Sequence, residues 1–69
     1  MKQSIQKLVD AVESMENDVA QGKGLGNIPA TAETTMQMIH LASANPSNNE
    51  YEPLLDDLGN RIGMLLLKL

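Results

Sequence analysis

Sixty-nine residues make at most one domain, and a chain of this size buries only about 60% of the surface that its unfolded form exposes. With no cysteine and a single histidine, disulfides are excluded and a four-ligand zinc site has too few ligands; with Tyr51 as the one aromatic residue, the core must be built from Leu, Ile, Val, Met and Ala. A net charge of −4 argues against a nucleic-acid binder and against anionic membranes, which both select basic surfaces.

No run approaches the roughly 20 apolar residues of a membrane span, and no apolar run of signal-peptide length follows Met1-Lys2-Gln3-Ser4. The expected location is therefore the cytoplasm, with which the lack of cysteine agrees.

A first helix is expected over residues 5–21. Ile5, Leu8, Val12, Met15 and Val19 recur at alternating steps of three and four, with Val9 alongside, and Ser4 stands where a side-chain N-cap would. Gln3, Gln6, Asp10, Glu13 and Asn17 form the opposite, solvated face. Lys2 and Lys7 sit at the positive end of this helix, and Glu16 and Asp18 near its negative end, which opposes the helix dipole. Gly22 is a natural stop.

Residues 21–27 (QGKGLGN) form a connector rich in glycine. Gly22, Lys23, Gly24 and Gly26 invite comparison with an anion-binding loop, since glycines expose backbone N–H groups and a helix N-terminus follows. The order is not that of a nucleotide P-loop, which needs a strand before it and G-x-x-x-x-G-K followed by Ser or Thr. A plain interhelical turn is the first reading, and a loop holding a phosphorylated or nucleotide-like molecule is the alternative.

A second helix is expected over 29–44. Pro29 suits a first turn, and Ile28 before it is biased out of helical geometry. Thr31 competes as a cap. Ala32, Met36, Ile39 and Ala42 mark the inward face, with Met38 and Leu41 extending the apolar arc, and Asn45-Pro46 ends the helix. His40 lies beside that arc. A catalytic histidine needs an orienting acid and a nucleophile, and the sequence offers neither a G-x-S-x-G elbow nor a cysteine, so a boundary or interface histidine is the better reading.

Residues 46–52 read as a polar turn, with Ser47–Glu50 and Asn49–Glu52 both resembling capping boxes. A third helix is expected over 53–68. Leu55, Leu58, Ile62, Leu65 and Leu69 form its stripe, widened by Leu54, Met64, Leu66 and Leu67. Asp57 and Arg61 stand four apart in the favourable order. Gly59 and Gly63 form G-x-x-x-G, and two helical glycines cost about 1 kcal/mol each relative to alanine, which points to close approach by the second helix or by another copy of the third.

The fold expected is all-α: a helical hairpin plus a C-terminal helix, completed as a bundle by oligomerisation. The interface would use Leu58, Gly59, Ile62, Gly63, Leu65, Leu66 and Leu69. Paired acids can hold metals or transfer protons, but no Glu-x-x-His pattern accompanies them here, and neighbouring Asp56 and Asp57 diverge by about 100° on a helix. No cofactor or metal is expected. Asp10, Glu13, Asp56 and Asp57 are either solvated faces or a docking face for a basic protein. The function expected is that of a non-enzymatic interaction module, a small regulator, adaptor or inhibitor. A structural oligomer subunit is a further alternative, and no direct nucleic-acid or membrane contact is expected.

Overall fold

The computed structural model describes residues 1–69 and contains three α-helices and no strand. Helix α1 runs Gln3–Gln21, α2 runs Ile28–Ala44, a 3-10 turn spans Pro46–Tyr51, and α3 runs Glu52–Leu67. None of the helices is long and apolar enough to cross a membrane.

The seam of α1 is as the spacing requires: Ile5, Leu8, Val12 and Met15 are buried, and Val19 packs partly against them. Its start differs. Lys2 holds the capping position in extended geometry with no side-chain cap, and Ser4 lies inside the first turn. At the other end Gly22 adopts φ +69°, donates its N–H to Val19 O (3.1 Å), and lets Lys23 N–H reach Asp18 O (2.8 Å). This double closure satisfies two of the last carbonyls of the helix and needs a residue that tolerates left-handed backbone.

Helix α2 begins one residue earlier than Pro29 suggests. Ile28 is its first helical residue and is buried in the core, so the apolar gain outweighs the local bias against helix before proline. Thr31 is helical rather than a cap; its carbonyl accepts the Thr35 hydroxyl at 2.8 Å, which allows Thr35 to be buried on the inward face. Met36 and Ala42 pack only partly against the core.

The 3-10 turn is set by Asn45, whose Oδ1 accepts from Ser47 N–H (3.1 Å) and Ser47 Oγ (3.0 Å). That Asx turn replaces both expected capping boxes, and no side chain caps α3. Lys2 ties this turn to α1: its ammonium donates to Ser47 O (3.0 Å), Ser47 Oγ (3.0 Å) and Asn48 Oδ1 (2.8 Å). Buried Asn48 completes its own bonding by donating to Ala42 O at 3.0 Å.

These pairings give the topology. The start of α1 meets the turn that precedes α3, and Glu16 meets Arg61, so α1 and α3 run parallel. Pro29 faces Leu66, and Ser43 faces Leu55, so α2 runs antiparallel between them. The result is an up–down–up three-helix bundle, 36 Å long and 18 × 16 Å across.

Eleven aliphatic residues, drawn from all three helices, form one core. Here the reading of α3 needs correction. Leu58, Ile62 and Leu65, expected at an interface with another chain, lie inside this core with 0%, 0% and 3% of their surface exposed. Helices α1 and α2 are long enough to cover the stripe, so the chain closes its own core. Leu69 lies beyond the helical end and is half exposed.

Candidate functional site

With its stripe covered, α3 is left with two edges, and a groove runs along each. The groove against α1 is the largest single depression, about 610 Å³. Its centre is ionic: Arg61 donates through Nε to Glu16 Oε2 (3.0 Å) and through a terminal nitrogen to Glu16 Oε1 (2.5 Å), while its other terminal nitrogen lies 3.5 Å from Asp57. This fork-to-fork contact is the strongest polar geometry between two side chains. Arg61's hydrogen bonds hold the Glu16 carboxyl below the usual carboxylate value; partial burial opposes them, and the charges of Arg61 and Lys68 reinforce them. Donating those same hydrogen bonds to Glu16 raises Arg61, so both groups are charged throughout the neutral range. The Asp57–Arg61 pair read from helical spacing is therefore present, but it is the longer arm of a cross-helix cluster that spacing does not reveal.

The groove against α2 has a different character. It consists of two adjoining depressions of about 390 and 280 Å³ that share Met36 and His40. Pro29, Ala32, Ile62 and Leu66 line the first; Ile39, Leu55 and Gly59 line the second. Gly59 and Gly63 follow one another along this edge of α3 by helical spacing. A Cβ on Gly63 would meet nothing within 4 Å, and one on Gly59 would meet only the sulfur of Met36, at 3.7 Å. The Met36 side chain of α2 thus lies over Gly59, whereas Gly63 faces open space.

His40 has neighbours that the sequence does not bring together. Asp56 and Ser43 line the same depression as its imidazole, as does Asn60. No hydrogen bond joins any of the four. Nothing orients the ring, and nothing draws a proton from the Ser43 hydroxyl.

The acidic residues do not form one face. Asp10 and Glu13 are exposed on α1, where Asp10 accepts from Gln6 Nε2 at 2.9 Å. Asp56 and Asp57 part company: the first lines the α2 groove, and the second the α1 groove. No three His, Asp or Glu side chains converge in metal-binding geometry.

In the loop, Gly24 has φ +62°, and its carbonyl accepts Asn27 N–H at 2.9 Å. The N–H groups of Gly22 and Lys23 are held by the end of α1. The N–H groups of Gly22, Lys23 and Asn27 are thus committed to backbone carbonyls, and with Gly24 and Gly26 these residues form the turn that reverses the chain.

Two polar features escaped sequence reading, the Lys2–Ser47–Asn48 tie and the Glu16–Arg61 fork. Their signal was present in disguise: Lys2 and Glu16 are the residues that oppose the α1 dipole. No protein family, curated protein or solved structure matches the chain.

Proposed function

We propose that this chain is a protein-interaction module without enzymatic activity, a small regulator, adaptor or inhibitor that works by contact. One observation carries the reading. A chain that closes its own core still leaves Met64, Leu66, Leu67 and Leu69 exposed near the end of α3, with Leu66 on the wall of an open apolar groove. Single exposed apolar side chains are ordinary on a folded surface, whereas four in and just beyond the last turns of one helix, with Met64 on the wall of the α1 groove and Leu66 on the wall of the α2 groove, give α3 an end that a partner can cover. The unlinked His40, Ser43 and Asp56 lend no support to a catalytic alternative, and the committed N–H groups of the glycine loop lend none to a phosphate site.

A second reading, self-association into a homodimer or larger bundle, is favoured by Leu67, which at 82% is the most exposed large apolar residue in the chain. Both readings are tested by Leu66→Glu combined with Leu67→Glu. Both side chains lie outside the core, so the variant keeps the fold. Proteins captured from a cell extract by the parent chain and lost by the variant support the interaction module. A mass that rises with concentration in the parent alone supports self-association. Equal capture by both chains, with both monomeric, overturns the two readings together.

A further inference from the structure

The groove between α2 and α3 has apolar walls and an acidic rim. Its floor is aliphatic, through Ala32 and Ile62, and Met36 supplies an unbranched side chain that can repack around an incoming group. On the α3 side Gly59 lowers the wall between Leu55 and Ile62, with Gly63 one turn further along, so that another backbone can come close beside Met36. The ionised side chains along it are Glu33 beside Leu66 at one end and Asp56 beside Leu55 at the other. No lysine or arginine lines it. Arg61 and Lys68 face the opposite groove, and Lys2 is held by the 3-10 turn.

We infer that this groove receives an amphipathic helix of a partner protein, with an aliphatic ridge seated against Met36 and Gly59 and with Lys or Arg on both flanks facing Glu33 and Asp56. The inference rests on the interaction reading above and names the partner's chemistry. Helix-in-groove recognition reads anchors at i, i+3 or i+4 and i+7, and a groove bordered on both sides by helices presents that geometry. Charge decides against a second copy as the occupant. A two-fold contact groove-to-groove would gather Glu33 and Asp56 from both chains along one seam, with no cation among the lining residues to offset them. A helix with basic flanks meets the same carboxylates favourably.

The test is a titration of the nitrogen-labelled full chain, followed by NMR, with a peptide of about 18 residues, roughly the length of α2. The peptide carries leucine at i, i+4, i+7 and i+11, alanine between, and Lys or Arg on both flanks; its twin carries Glu at every basic position. The basic peptide should move the amide signals of Met36, His40, Gly59 and Gly63, bind more weakly as salt rises, and outcompete the acidic twin. Glu33→Lys with Asp56→Lys, both exposed, should weaken it by about ten-fold and reverse the preference between the twins. Gly59→Leu, which puts a side chain on the groove wall beside Met36, should abolish it. Several results would overturn the inference: no shift with either peptide at about 1 mM, equal binding of the two twins, or shifts confined to other faces. So would groove signals that move on dilution of the chain alone, which would make a second copy the occupant. Failure here with successful capture in the Leu66/Leu67 experiment removes the basic helix and leaves the interaction module standing; failure of both removes the module as well.

Discussion

Replacing Gly63 with alanine should make this protein more stable. Glycine in a helix interior is less favourable than alanine by about 0.8–1.0 kcal/mol, largely because the unfolded chain loses more freedom on folding. Whether that gain is realised depends on the space at the site. Gly63 does not have positive φ, and an added Cβ meets no atom within 4 Å, so nothing in the fold opposes the methyl group. The full increment of about 1 kcal/mol is therefore expected, which for a domain of this size raises Tm by about 4–8 °C. Gly59→Ala should act in the same direction, because its Cβ would make an ordinary contact with the Met36 sulfur at 3.7 Å. Gly22→Ala should act in the opposite direction, by about 1–2 kcal/mol, because φ there is +69° and the left-handed region is unfavourable for a residue with a Cβ. Urea and thermal unfolding followed by circular dichroism, each at two protein concentrations, measure all three. An unchanged or lowered Tm for Gly63→Ala would refute the reasoning. A loss that grows with protein concentration would be more specific still, since it would mean that another copy's backbone fills the space and that the groove is a self-interface.

Other substitutions probe the rest of the bundle. Leu65→Lys places a charge at a position 3% exposed and should unfold the chain, whereas Leu67→Lys, at a position 82% exposed, should change stability by less than about 0.5 kcal/mol; circular dichroism separates the two. Lys2→Met keeps the aliphatic stem but removes three donated hydrogen bonds; a loss of about 1–2 kcal/mol is expected, with faster amide exchange confined first to Pro46–Tyr51. Glu16→Gln breaks a fork that is about one-third exposed, so its cost at neutral pH should stay below about 1 kcal/mol. Because the folded-state pKa of Glu16 is lowered, the parent's advantage over Glu16→Gln should be complete above the ordinary carboxylate range, shrink as pH falls through that range, and vanish once the folded-state carboxyl is itself protonated; an advantage that persisted with the carboxyl protonated would refute the assignment.

The fold was legible wherever burial follows helical period. The seam of α1 and most of the stripe of α3 read directly as buried, because a residue every three or four positions can face only one way. The reading failed where a local rule met a tertiary demand. Ile28 is helical despite Pro29 because its side chain fills the core. Thr35 is buried because Thr31 O, one turn back, accepts its hydroxyl, and a list of apolar positions has no place for it. Leu58, Ile62 and Leu65 were read correctly as buried but assigned to the wrong neighbour, since the period of a helix shows that a face is covered and not by which chain. The α2–α3 groove was half legible. Gly59 and Gly63 pointed to close approach by another helix, but that Met36 of α2 is what lies over Gly59 while Gly63 stays open depends on the packing of three helices at once.

The charged residues that fit their own helix least explain the most about the bundle. A lysine at the N-cap position of α1 and a glutamate near its negative end each oppose the dipole, by a few tenths of a kcal/mol at an exposed site. Viewed within α1 alone they are defects. In the bundle Lys2 reaches the turn before α3, and Glu16 grips Arg61 about four turns further along, so each unfavourable local position supplies one polar tie between α1 and the segment it runs beside. The two ties lie toward opposite ends of the α1–α3 contact and hold its register, adding directional bonds to what the packing of an aliphatic stripe already favours. The α2–α3 contact has no such tie: no side-chain hydrogen bond or ion pair joins those two helices directly. If register is fixed on one side of α3 and left to apolar packing on the other, then α2 is the helix that can shift to widen its groove. Amide exchange in α2 should accordingly be faster than in α1 and α3, and slower once the basic-flanked peptide is bound; equal protection of the three helices in the free protein would contradict this.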